Sequence, residues 1–350
     1  MNENKTMKNK LLICHHYSPE EKAGGITSVM RNMHPYLSEA FDVEYMTLPK
    51  SWQHGSTRAA YFLYMWLHKK RLKKYDFILS HIPEASYFVV KSGVPCAHVY
   101  HGDGHPMKGG SWIKKPFVSF YDHIFEVINN RCPLVYCVGT KRKPDNKKLF
   151  NPLIQDVKPV SIEQRKGFVF TGRLVNLKRV DRIIGVYSQL SQEIRHDNPL
   201  YIVGDGYCRS QLEEQVKTLG LEGEVVFMGN QPNKDMMKIV STKKILLMAS
   251  TTEGFPTSIA EAFSVGVPAI STNVGSVNSV VVNNENGFYV SKDFKDSEYS
   301  NCIKAILDDY ARFVNSALDC AKLFNAERVT KCVIEDFNEI IKKRQQDKSY

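Results

Sequence analysis

Glu253 and Glu261 stand eight positions apart in the stretch TTEGFPTSIAEAFSVGVPAIST, residues 251–272, with Gly-Phe-Pro directly after the first of them. A Gly-Phe-Pro wedge does not sit inside one continuous helix. The first carboxylate therefore belongs to a loop, and the second to a helix that begins after Pro256, with Thr257 or Ser258 as its expected N-cap. Each acid alone has a plain explanation. SIAE is an S-x-x-E capping box, in which Glu261 bonds back to the Ser258 N–H, and Glu253 reads as a solvated loop acid. Together they suggest more. Both lie at the carboxyl end of a strand, KILLMAS, beside a helix N-terminus whose unpaired N–H groups favour a phosphate. A carboxylate there accepts bonds from vicinal sugar hydroxyls while the N–H groups hold a diphosphate, which suits a sugar nucleotide.

A second motif, FTGRLVNLKRVD, places Arg173 just beyond a strand end and Lys178 near the start of the next helix. Two cations at a strand end can hold a diphosphate and stabilise it as a leaving group. Arg173 offers a planar fork and Lys178 a compact point charge. Ordinary surface charge is the alternative for this motif taken by itself. A rival chemistry comes from His98, His101 and His105, with Asp103 between them, as a metal site. Their spacing matches neither H-E-x-x-H nor any zinc pattern. With two cations already at the strand end, no metal and no resident cofactor is expected.

The elements that must position these residues alternate regularly. KLLICHHYSP reads as a buried strand, followed by the glycines of AGG and by ITSVMRNMHPYLSEAF, with Ile26, Val29, Met30, Met33 and Leu37 at helical spacing. Strand, glycine turn and helix is the order that aims backbone N–H groups at an anion. Further strands are expected at FDVEYMTL, YDFILSHI, PCAHVYHG and PLVYCVG. In the second half come the strand KGFVFTGRL and a single helix KRVDRIIGVYSQLSQEI. PLYIVGDG, EVVFMG, KILLMAS and VPAIST follow as strands, separated by helices. Short-linked alternation of this kind predicts parallel sheets covered by helices on both faces. The polar stretch NPLIQDVKPVSIEQRKG marks a boundary. The expected architecture is α/β, two doubly wound domains facing a central cleft: 1–160, 161–330, and a C-terminal helix over 331–350 that packs back on the first domain. Ligands of such sheets bind beyond the strands' carboxyl ends, where strand order reverses.

Bulk properties are those of a globular chain. Of 350 residues 43% are hydrophobic and 24% charged. The longest apolar run, residues 59–67, is far shorter than the ~20 residues that span a bilayer. The basic N-terminus has too short an apolar segment for a signal peptide, so a cytoplasmic location is expected. Eight cysteines without a C-x-x-C pair read as free thiols. Lys and Arg total 47 against 37 Asp and Glu, a formal charge of +10, which fits anionic partners. No zinc-finger, RRM-like or basic-heptad pattern supports nucleic acid. AAYFLYMWLHKKRLKK, residues 59–74, is apolar and aromatic and then strongly basic. It reads either as a core helix with a solvated end or as an interfacial patch for anionic lipid at the inner face of the plasma membrane, with SWIKKPF in support.

EGFPTSIAEAFSVGVPAIST resembles the E-(seven residues)-E signature of the family-four retaining glycosyltransferases of the GT-B fold, built of two Rossmann-like domains. GRLVNLKRVD looks like that family's diphosphate-binding turn, and YIVGDGYCRSQLEEQVKTLGLEGEVVFMGNQPNKDMM like the segment between the two, so that the likeness runs in order over residues 168–280. In the first half, AGGITSVMRNM looks like the family's glycine turn and HVYHGDG like its strand ending in a histidine. The resemblance implies that Glu261 binds ribose and Glu253 contacts the transferred sugar. It gives the diphosphate to Arg173 and Lys178, helped by backbone at Gly254, Phe255, Pro256, Thr257 and Ser258. Gly24 and Gly25 would close on the phosphates, and His101, or His98, would face the donor sugar. Pro256 and Thr257 replace the glycine and leucine commonest after E-G-F, which alters the backbone donors at the phosphate.

The function so implied is retaining transfer of a sugar from a nucleotide diphosphate, UDP-linked, to a lipid-linked or cell-surface glycan in polysaccharide biosynthesis. A sugar-nucleotide epimerase on the same architecture is the alternative enzyme, and a non-catalytic nucleotide-sugar-binding subunit the alternative without chemistry.

Overall fold

The computed structural model describes residues 8–21, 25–54, 56–102, 115–138, 141 and 143–347. The chain forms two compact units, residues 1–152 together with 326–350, and residues 153–325.

The first unit holds a parallel sheet of β1 (Lys10–Cys14), β2 (Asp42–Met46), β3 (Phe77–Ser80), β4 (Cys96–His101), β5 (Leu134–Val138) and the two-residue β6 (Lys147–Lys148), in the order β2-β1-β3-β4-β5-β6. β1 and β3 are buried almost throughout, as expected of strands covered on both faces. The helix Gly25–Ala40 follows β1 and buries Val29, Met30, Met33 and Leu37, with Ile26 half-buried. The 22-residue helix Ala326–Asp347 belongs to this unit, where Phe337 stacks on Phe77 with ring centroids 4.1 Å apart.

The second unit holds β7 (Phe168–Thr171), β8 (Leu200–Val203), β9 (Val225–Gly229), β10 (Ile245–Leu247), β11 (Ala269–Thr272) and β12 (Gly287–Val290), also parallel, in the order β12-β11-β10-β7-β8-β9. Its core gathers Phe168, Phe170, Ile184, Tyr187, Leu200, Ile202 and Phe313. The sequence KRVDRIIGVYSQLSQEI does not form the single helix its periodicity predicts. It divides into Val180–Ser188 and Gln192–Asp197, because Ser191 caps the second helix through a bond from the Ile194 N–H and the Tyr187 hydroxyl donates to carbonyls beyond the break.

Both sheets reverse direction once. In the first unit the chain steps from β1 out to β2 and then to β3 on the other side of β1. In the second it steps from β7 through β8 to β9 and then to β10 on the other side of β7. The switch points therefore lie between β1 and β3 and between β7 and β10, and the loops leaving those strands are where each unit can hold a ligand.

Candidate active site

At the switch point of the second unit, the loop after β7 carries Arg173 and Lys178, and the loop after β10 carries Glu253. Hydrogen bonding knits the two loops together, with the Thr251 N–H donating to the Leu177 carbonyl at 2.8 Å. The structure brings Lys178 and Glu253 into direct contact, Nζ to Oε1 at 2.6 Å, as a largely buried ion pair. Breaking such a pair by removing one partner leaves an uncompensated charge, so each holds the other in place. Arg173 is exposed, and its guanidinium makes no hydrogen bond or ion pair among the described residues. Its backbone is fixed nonetheless by bonds from the Leu174 N–H to Asp205 and from the Val175 N–H to its own carbonyl.

The helix Thr257–Ser264 begins where the sequence places it, but its cap differs. Pro256 occupies the N-cap position, and among the described residues neither Thr257 nor Ser258 caps the helix with its side chain. The Pro256 carbonyl accepts from the N–H groups of Ile259 and Ala260, and the Thr257 N–H donates to Phe255. The N–H groups of Gly254, Phe255 and Ser258 have no hydrogen-bond partner among the described residues. A helix N-terminus with free N–H groups next to a lysine is suited to a phosphate.

Glu261 does not form the capping box. Its carboxyl is pushed up to about 7 by burial, and a hydrogen bond with the Asn233 side chain opposes that rise. Asn233 begins the helix Asn233–Ser241 and was not legible as a site residue. A second residue that sequence reasoning missed is Gly275, with φ +57°. A Cβ there would lie 1.9 Å from the Glu253 carbonyl oxygen, so the loop after β11 can cross Glu253 only as glycine. Its signal was a lone glycine in NVGSVNS, too common a feature to mark a site.

In the first unit, His101 ends β4 and His81 follows β3. The two rings stack, with a 2.8 Å contact between His81 Nδ1 and His101 Nε2. Burial drives His101 down to about 3 and His81 well below its ordinary value, each helped by neighbouring histidines. Both are neutral at pH 7. His98 has a different setting. It is 1% exposed in the core, and its Nδ1 contacts the Ser86 hydroxyl at 2.7 Å. An open pocket is lined in part by Ile26, Arg58, His81, His98, His101 and Gly102. Arg58 was also missed. It is positioned by the fully buried Glu84, whose Oε1 accepts from the Arg58 guanidinium at 2.8 Å and from the Tyr121 hydroxyl at 2.5 Å. Neither Arg58 nor Glu84 belongs to a local motif, because 26 positions separate them.

Gly25 is exposed at the start of its helix, with open space where a Cβ would lie. Gly24, Asp103 and His105 lie outside the described residues. Among the described residues no group of three or more His, Cys, Asp or Glu is placed to hold a metal ion. None of their helices is long and apolar enough to cross a membrane.

Residues 154–322 match the family described as glycosyl transferases group 1. The chain is 29% identical over 126 residues to the N-acetyl-alpha-D-glucosaminyl L-malate synthase of Bacillus anthracis, covering 36% of this chain and 32% of that one. It is 28% identical over 174 residues to the UDP-Gal:alpha-D-GlcNAc-diphosphoundecaprenol alpha-1,3-galactosyltransferase of Escherichia coli, covering 49% and 44%. The chain thus spans less than half the length of the curated relatives it matches. Among solved structures, the Anabaena protein HepE in complex with UDP superposes with a TM-score of 0.70 at 18% identity, over 95% of this chain and all of that one. With paired Rossmann-like sheets and this match through the switch-point residues, the chain carries over 154–322 the domain of the group 1 glycosyl transferases on a GT-B fold.

Proposed function

We propose that the chain is a retaining, metal-independent hexosyltransferase. It moves a sugar from a nucleotide diphosphate sugar, UDP-linked, to a lipid-linked or cell-surface glycan acceptor in polysaccharide biosynthesis, and needs no cofactor beyond that co-substrate. The observation that carries the reading is the Lys178–Glu253 pair at the β7/β10 switch point, beside a helix start with free N–H groups. An anion arriving there competes with Glu253 for Lys178. The diphosphate then takes the ammonium and the free N–H groups, with Arg173 as a second cation, and the released Glu253 carboxylate accepts from sugar hydroxyls. Glu261 is assigned to the ribose, and in the first unit His101 is the residue given to substrate. The E. coli relative supports the donor and acceptor classes, since it uses UDP-Gal and a diphosphoundecaprenol-linked sugar. A lipid-linked acceptor would bring the chain to the inner face of the plasma membrane as a peripheral protein.

With Glu261 on the ribose and Glu253 on the sugar hydroxyls, neither carboxylate of the motif is assigned to a double displacement. The sugar–phosphate bond breaks with its electron pair passing to the diphosphate oxygen. The acceptor hydroxyl bonds to the same face of the sugar carbon, and its proton passes to the departing diphosphate. Lys178 and Arg173 stabilise the charge that grows on that oxygen.

Incubating the protein with UDP-, GDP- and ADP-sugars, with and without a lipid-linked disaccharide acceptor, tests the reading. It expects acceptor-dependent release of nucleotide and a product with the donor's anomeric configuration by NMR. Interconversion of the sugar without release would support the epimerase, and tight binding without turnover the non-catalytic subunit.

A further inference from the structure

We propose that the first unit docks on an anionic lipid surface through an exposed face built by the helices Thr57–His68 and Lys115–Arg131. A helix that only covers a sheet needs one apolar stripe, and Thr57–His68 has two. It buries Tyr61 and Met65 toward the core. Leu63, Trp66 and Leu67, at i, i+3 and i+4, form a second stripe that is about half exposed, Trp66 at 51%. On Lys115–Arg131, Phe117 and Phe120 are likewise exposed, and Phe120 meets Phe62 edge-on with ring centroids 5.4 Å apart, so the two stripes adjoin. These five are all the exposed large hydrophobic residues described in the first unit.

The chain runs from this face directly into the 3₁₀ turn Lys69–Lys74. Leu72 is buried and anchors the turn, which leaves Lys69, Lys70, Arg71, Lys73 and Lys74 exposed. Among the described residues none of the five forms an ion pair, and the Lys69 ammonium lies 5.5 Å from the Trp66 ring centroid. Aliphatic and indole side chains that enter the headgroup region, rimmed by lysines that meet lipid phosphates, are what an interfacial helix requires. A protein partner fits less well, since lysine is depleted at protein interfaces. A nucleic acid would leave Leu63 and Leu67 without a role.

The proposal bears on the transferase reading, because a lipid-linked acceptor resides at such a surface. Vesicle binding needs neither donor nor acceptor, however, so either idea can fail without the other. The test is flotation of the full chain with phosphatidylcholine vesicles, with and without phosphatidylglycerol, together with tryptophan fluorescence. The wild type is expected to float only with the anionic vesicles, less at high salt, with a blue-shifted emission that Trp66→Ser removes. Lys70→Gln/Lys73→Gln/Lys74→Gln should weaken binding on the order of 10²-fold, from about 1 kcal/mol per charge near the surface. Leu63→Ser/Leu67→Ser should weaken it at all salt concentrations, and thermal melts confirm that the variants fold. The proposal is overturned if the wild type stays out of the anionic vesicles, or if both multiple variants bind like it. Sedimentation showing a wild-type dimer that Leu63→Ser/Leu67→Ser dissociates would also overturn it, by giving the face to a second copy.

Discussion

The two switch points share a topology and differ in charge. Where β7 and β10 diverge, a cation and a carboxylate face each other at 2.6 Å, with an exposed arginine and free backbone donors close by in sequence. Where β1 and β3 diverge, burial keeps His81 and His101 neutral, and the Arg58 guanidinium is already matched by Glu84. The first arrangement suits a ligand that brings negative charge. The second suits one that brings hydroxyl groups, since neutral imidazoles both donate and accept. The shared scaffold therefore leaves the choice of ligand to the few side chains at the strand ends.

The contrast breaks most readily at Lys178. If its ammonium stabilises charge that grows as the donor bond breaks, Lys178→Ala should lower kcat on the order of 10²–10³-fold, with a smaller change in donor KM. Lys178→Arg should restore only part of this, because a planar fork cannot occupy the ammonium's position. Steady-state kinetics at saturating acceptor decides, and an unchanged kcat in folded Lys178→Ala removes the residue from the mechanism.

Glu261→Ala should weaken UDP binding by roughly 1.5–3 kcal/mol by calorimetry, the loss of bonds to a charged group. Its folded value of about 7 lies above the ordinary 4.5, so ionisation of Glu261 opposes folding as pH rises between those values. The variant should therefore be no less stable than wild type at pH 8. Because ribose hydroxyls favour the ionised acceptor, UDP should bind more tightly above pH 7 than below it, beyond any dependence that Glu261→Gln retains. A melt showing marked destabilisation with UDP affinity intact would return Glu261 to a structural role.

The neutral histidines give a pH effect of opposite sign. His101 falls from 6.5 to about 3 on folding and His81 falls well below 6.5, so their contribution is intact above 6.5 and is lost as pH drops below it. Each group can contribute up to about 1.4 kcal/mol per pH unit there. Thermal melts from pH 7 to 5 should show falling stability, with a shallower slope in His101→Asn. An unchanged slope would mean that His101 is not held neutral by the fold. The smallest expected effect is that of chelation: turnover should be unaltered in EDTA, and its loss with recovery on adding Mg²⁺ or Mn²⁺ would undo the claim that cations of the chain suffice.

What could be read along the chain was whatever local periodicity and turn chemistry fix. Ten of the strands follow from short apolar runs bounded by glycine, proline or polar residues. The two that escaped, Lys147–Lys148 and Gly287–Val290, are edge strands, one very short and the other half-exposed. The expected helix after Lys178 failed because a hydrophobic stripe does not record that Ser191 and Tyr187 interrupt the backbone ladder. The capping box failed for a similar reason. S-x-x-E is satisfied by spacing, whereas the direction of Glu261 is set by burial and by Asn233 on another helix.

The sequence by itself determined the α/β alternation, the placing of Arg173, Lys178 and Glu253 beyond strand ends, and the basic balance of the surface. Each depends on residue type and near-neighbour spacing. The tertiary structure decided which of those residues meet. Lys178 finds Glu253 across 75 positions because β10 pairs with β7, and strand order is a property of sheet packing that local sequence does not encode. It likewise decided that Gly275 had to be glycine and that Glu84 positions Arg58. It also decided that Leu63, Trp66 and Leu67 face outward although their apolarity alone would have buried them. In each case the deciding quantity is contact between segments far apart in the chain, set by where the backbone leaves room.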